Sequence, residues 1–121
     1  MPKIEKFEDL NCWKEARMLV KQVFLLCSND GLNKDYGLVD QLKRASVSVM
    51  NNIAEGFGRF SDKEFIRFLG IASSSAQEVK SISYILLDLK YINDQEFDDL
   101  NSSIDSTKNM ILGLIKYLRT K

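Results

Sequence analysis

Four stretches of the chain repeat apolar residues at steps of three and four, the spacing that aligns side chains along one face of an α-helix. The first, from about Leu10 to Cys27, puts Trp13, Ala16, Val20, Phe24 and Cys27 on such a face, with Asp9 as the expected N-cap. The second, from about Lys34 to Glu55, does the same with Leu38, Leu42, Ala45, Val49 and Ile53. Ser46-Val47-Ser48-Val49 alternates as a strand would, but only briefly inside the longer helical period, so helix is the reading there. The third stretch, from about Asp62 to Lys90, carries Phe65, Phe68, Leu69, Ala72, Ala76, Val79, Ile82, Leu86 and Leu89. It opens on Ser61 and Glu64 at capping-box spacing. The fourth, from about Gln95 to Arg119, repeats that cap at Asn93 and Glu96. It continues through Phe97, Leu100, Ile104, Thr107, Ile111, Leu114 and Leu118, with Thr107 the only polar member of the seam.

The breaks between these stretches are short. Ser28-Asn29-Asp30-Gly31 supplies turn chemistry, with Gly31 free to take a left-handed conformation, and Tyr91-Ile92 makes a second corner. Gly56-Phe57-Gly58 is expected to end the second helix in a sharp corner, its glycines permitting positive φ. In the third helix Ala72, Ser73, Ser74, Ser75 and Ala76 form a zone of small side chains that lets a neighbouring helix come close. Pro2 is the single proline and lies outside every apolar repeat. The expectation is all-α: residues 1–121 as one antiparallel, up-down-up-down four-helix bundle.

Composition adds limits on chemistry. Lys plus Arg and Asp plus Glu both number 17, so formal net charge is zero and a strongly basic nucleic-acid binder is not indicated. There is no histidine, and Cys12 and Cys27 stand apart, which removes the usual metal ligands and the usual base for a Ser or Cys nucleophile. Gly56-Phe57-Gly58 follows no strand and precedes no Gly-Lys-Ser/Thr, so it makes a poor phosphate loop. No enzyme, metal or cofactor is expected. The N-terminal segment has no apolar signal region and no stretch is long enough to span a bilayer, so a cytoplasmic protein with reduced thiols is expected.

The residues also match a known family. Phe7-x-Asp9-Leu10-x-x-Trp13-x-x-Ala16 is followed by Tyr36-Gly37-Leu38-x-x-Gln41-Leu42-x-Arg44-Ala45. Next come Ser46-Val47-Ser48-Val49-x-x-Asn52-Ile53-Ala54-Glu55-Gly56-x-Gly58-Arg59 and Glu64-Phe65-x-x-Phe68-Leu69-x-x-Ala72-x-x-Ser75-x-x-Glu78. In these motifs the chain resembles the four-helix-bundle proteins encoded within 23S rRNA intervening sequences, whose relatives include accessory proteins of diversity-generating retroelements. The resemblance implies a ring, characteristically a homopentamer, with no enzymatic activity. It also implies RNA or DNA, or a protein such as a reverse transcriptase, as partner. The nucleic-acid-binding relatives use a basic surface, and this chain departs from them in being neutral overall, with a pI of about 6.3.

Three groups are candidates for function. Lys43, Arg44, Arg59, Lys63 and Arg67 stand among only three acids between Gln41 and Arg67, an excess of two. On a five-fold ring that excess becomes about ten charges, enough for multivalent phosphate contact, whereas a solvated helix face is the plainer reading. Asn51, Asn52, Glu55, Gly56, Gly58 and Arg59 form a dense corner. Its polar members either recognise a ligand or fix the turn through a Glu55–Arg59 pair, which if buried would cost about 3–5 kcal/mol to break. Phe57, Phe60, Phe65 and Phe68 crowd the same corner. They read either as an oligomer interface or as an aromatic cap on the bundle end.

Overall fold

In a computed structural model, which describes residues 3–121 and so leaves Pro2 outside them, four helices pack around one apolar core. They are α1 (Asn11–Leu26), α2 (Tyr36–Phe57), α3 (Asp62–Asp88) and α4 (Asp94–Thr120), with 3-10 turns at Phe7–Asp9 and Leu32–Lys34. No described residue lies in a strand. Among the described residues no helix is long and apolar enough to cross a membrane.

The stripes expected on α2, α3 and α4 supply most of the core. Leu42, Ala45, Val49 and Ile53 of α2 meet Leu69, Ala72, Ala76, Val79 and Leu86 of α3, all buried. Leu100, Ile104 and Ile111 of α4 complete it. Thr107 is buried with them, its hydroxyl donating to the Ser103 carbonyl at 2.8 Å, so the one polar member of that seam is satisfied within its own helix. The small zone of α3 faces α2 as expected: Ser75 Oγ lies 2.8 Å from Ser48 Oγ. Leu89 falls one residue beyond α3 and is exposed, because the helix stops short of the expected Lys90.

On α1 the apolar stripe is rotated from the expected one. Trp13, Ala16 and Cys27 are buried, but Leu19 and Val23 fill the places assigned to Val20 and Phe24. Phe24 is exposed, with the Lys43 ammonium 4.8 Å from its ring centroid. Asp9 lies in the preceding 3-10 turn rather than at the N-cap, which is Leu10 and carries no side-chain cap. Phe7 packs edge-on against Trp13, with centroids 5.1 Å apart, and fixes that entry instead.

The helix ends gather in two places. At one, the α1–α2 loop meets the α3–α4 loop: Asn29 Nδ2 donates to the Tyr91 carbonyl at 3.1 Å and to Glu96 Oε2 at 3.0 Å. Tyr91 donates its hydroxyl to Asp35 Oδ2 at 3.1 Å, and Asp35 also caps α2 by accepting from the Leu38 amide. The expected capping box is complete, with Asn93 Oδ1 accepting from the Glu96 amide and Glu96 Oε1 accepting from the Asn93 amide. Gly31 has φ +86°, as its turn requires, and a Cβ there would come within 3.1 Å of the Tyr91 ring. At the other gathering, the segment leading into α1, the α2–α3 corner and the last turns of α4 surround an open groove.

Candidate interaction surface

The α2–α3 corner is built by a close approach, not by a turn of unusual φ. Gly56 is the last buried residue of α2, inside the helix, and Gly58 caps it with φ −76°. Neither glycine takes the positive φ expected of it. A Cβ on Gly56 would fall 2.6 Å from the Phe68 Cβ and 3.0 Å from the Phe65 ring, so hydrogen is the only side chain that lets α3 lie this close. Ser61 caps α3 by accepting from the Glu64 amide at 3.1 Å. The reciprocal half of that box is missing, because the Glu64 carboxylate turns to Arg67 instead, at 3.1 and 3.2 Å.

The polar corner residues divide. Asn52 folds back on its own helix, its Nδ2 donating to the Ser48 carbonyl at 2.8 Å and to Ser48 Oγ at 3.0 Å. It therefore supports the α2–α3 packing contact instead of presenting an amide outward. Asn51 is exposed. Glu55 and Arg59 do pair, at 2.7 Å, but with side chains 57% and 45% exposed they form a surface pair, not the buried one the sequence allowed. Such a pair contributes about 0–1 kcal/mol.

The five basic candidates do not form one field. Arg44 pairs with Asp40 at 2.9 Å, Arg59 with Glu55 and Arg67 with Glu64. The Arg67 hydrogen bonds hold the Glu64 carboxyl below its ordinary range, and the same bonds raise Arg67. Lys43 lies against Phe24. Among the described residues Lys63 alone of the five has neither an acidic partner nor an aromatic one.

The four corner phenylalanines have separate fates. Phe65 and Phe68 are buried, and Phe57 is half-buried with its ring edge-on to Phe65, centroids 5.9 Å apart. The guanidinium carbons of Arg59 and Arg67 lie 4.8 and 4.6 Å from the Phe68 ring centroid and shield it from solvent. Phe60 is 108% exposed: its ring touches nothing in the chain that would cover it.

Phe60 is itself among the residues that line the groove, whose volume is about 750 Å³. Its apolar lining includes Leu10, Phe57, Phe65, Leu114 and Leu118, and its sides include the exposed Ile4, Met110 and Tyr117. The charged residues around it are Lys3, Asp9, Arg59, Asp62 and Lys121, with Asp62 and Lys121 paired at 3.3 Å. Cys12 also lines it, buried, and burial pushes this thiol up to about 11. The sequence reading found the corner but missed the two walls from residues 3–12 and α4. Met110 and Tyr117, standing outside the strict seam of α4, were the available signal.

Among the described residues no group of three or more His, Cys, Asp or Glu side chains is placed to hold a metal ion. The family model for the 23S rRNA-intervening sequence protein matches residues 8–113. The chain belongs to that family. A crystal structure from Bacteroides thetaiotaomicron, described as a protein of unknown function from the S23 ribosomal protein family, superposes with a TM-score of 0.77 at 19% identity. The match covers 87% of this chain and 98% of that one, and at this identity it speaks for the fold. A comparison with curated proteins finds no match.

Proposed function

We propose that this family member is a non-catalytic scaffold. It is an up-down-up-down antiparallel bundle whose copies close into a ring that presents its surface to a partner protein. The two gatherings of helix ends support the antiparallel order, and the family resemblance supplies the five-chain number. The observation that carries the reading is the open end, where a bare aromatic ring lines an apolar groove with charges of both signs around it. That is the anatomy of a protein contact, an apolar centre within a mixed polar rim. Pairing of Arg44, Arg59 and Arg67 with acids of their own chain weighs against a phosphate-binding face. Cys12 is poorly placed as a nucleophile, since burial raises its pKa where an activated thiol needs it lowered. Two buried free thiols fit a reducing, cytoplasmic setting.

A nucleic-acid role draws support from one feature: Phe60, free to stack on a base, three residues from the unpaired Lys63. Light scattering on the purified protein, with the 260/280 nm absorbance ratio read on the same peak, separates the readings. A multi-chain mass with a protein-like ratio is expected. A high ratio that falls with salt moves the assignment to nucleic acid, and a single-chain mass removes the ring.

A further inference from the structure

We infer that the outer face of α1 is a second docking surface, shaped for an acidic amphipathic helix of a partner protein. It shares with the function proposed above only the class of partner, and needs neither the ring nor the open end. One stripe of α1 lies in the core, yet a second seam runs along its solvent side. Lys14, Met18, Lys21 and Leu25 follow one another at steps of four, three and four, the spacing by which one helix meets another. All four are exposed, the two apolar side chains at 62% and 63%, and none of them lines the groove at the open end. Arg17 and Phe24, themselves seven apart, flank the seam on the side of α2, where the Lys43 ammonium reaches the Phe24 ring.

Charge sets the sign of the partner. Among the described residues Lys14, Arg17 and Lys21 have no acidic side chain within ion-pair distance, in contrast to Arg44, Arg59 and Arg67. The Arg17 guanidinium instead lies 5.8 Å from the centre of the Trp13 ring. Glu15, the only acid of α1, is one and two positions from Lys14 and Arg17, and residues so spaced do not face each other on a helix. From Ala16 to Asn29 the chain has no acid at all. The zero net charge thus conceals a face whose cations are unanswered, and an acidic partner answers them. Alternation along the seam sets the rest. A phosphate backbone would engage the cations and leave Met18 and Leu25 uncovered. A helix with carboxylates opposite the lysines and apolar side chains opposite Met18 and Leu25 covers all four. From Lys14 to Leu25 the seam runs about 16 Å, three turns, so a short partner helix spans it.

The probe is a fluorescein-labelled helical peptide of about 21 residues, with Glu and Leu alternating at steps of four and three along one face. Anisotropy titration with the full chain should reach half-saturation below about 100 μM at physiological salt. Lys14→Glu combined with Lys21→Glu should weaken that binding at least about tenfold, and a peptide carrying Lys in place of Glu should gain affinity for this variant. Met18→Ser combined with Leu25→Ser should weaken it severalfold, whereas Phe60→Asp should leave it unchanged. Urea midpoints of the variants should match that of the unaltered chain, since every altered side chain is exposed. No binding by the unaltered chain, or binding indifferent to the lysine substitutions, overturns the proposal. So does a single-stranded DNA of about 20 nucleotides that displaces the peptide and ignores the Met18 and Leu25 changes, which makes the face a nucleic-acid one. A loss of assembled mass in the lysine variant makes it a contact between copies instead, and also overturns the proposal. Failure here leaves the open-end reading intact, and a single-chain mass in light scattering leaves this surface intact.

Discussion

The two ends of the bundle use their polar groups differently. At the stitched end, Asn29, Asp35, Tyr91, Asn93 and Glu96 bond to one another across two loops, and Glu96 uses both carboxylate oxygens. At the open end the ion pairs Glu55–Arg59, Glu64–Arg67 and Asp62–Lys121 run over the surface, and the apolar groups between them stay uncovered. An end whose donors and acceptors are used internally has little left for a partner. An end held mainly by shape, through Gly56 against Phe65 and Phe68, keeps its apolar surface available.

The sharpest way to break the open end is Gly56→Ala. Its Cβ would collide with the Phe68 Cβ, a side-chain stem and not a flexible tip, so α2 and α3 must separate. Overpacking of this kind should lower stability by about 2–3 kcal/mol in urea unfolding, after the small gain in helix propensity. A neutral result would mean the corner has slack. At the stitched end Asn29→Ala removes two hydrogen bonds between loops and should cost about 1–2 kcal/mol in the same measurement.

Tyr91 gives a smaller and pH-dependent signal. Its hydrogen bond to the Asp35 carboxylate, helped by burial and by that charge, holds the phenol above its ordinary pKa near 10. A folded pKa raised above the unfolded one favours the protonated phenol. Its contribution is thus complete below the unfolded value and fades as pH rises through the folded value. Tyr91→Phe should lower stability at neutral pH and do so progressively less in strong alkali, followed by unfolding midpoints from pH 8 upward. The smallest effect belongs to Glu55→Ala, about 0.5 kcal/mol or less, because its pair is exposed. A loss of several kcal/mol there would mean that Glu55 is covered in the assembled protein.

These contrasts show what the sequence could reveal. Spacing alone placed the four helices, and Asn93–Glu96 announced a cap that formed in full. Periodicity failed on α1 because Met18 through Cys27 is apolar on nearly every side. The Leu19–Val23 and Val20–Phe24 stripes are both available there, and only packing against the other helices chooses. The Glu55–Arg59 pair was legible from its four-residue step, but its exposure depends on where α3 lies. Gly56 was legible as special, yet its reason is a contact with residues 9 and 12 positions further on, made by the neighbouring helix. The groove was least legible of all, because its walls come from three separate parts of the chain.

Amide hydrogen exchange, run on the unaltered protein and on Phe60→Asp at equal concentration, most directly sets one end against the other. Faster exchange in the variant should be confined to residues 3–12, 57–61 and 110–118, with residues 29–35 and 90–96 unchanged. Equal exchange in the two proteins, or a change centred on the Asn29–Tyr91 end, would contradict an open end that takes part in a protein contact.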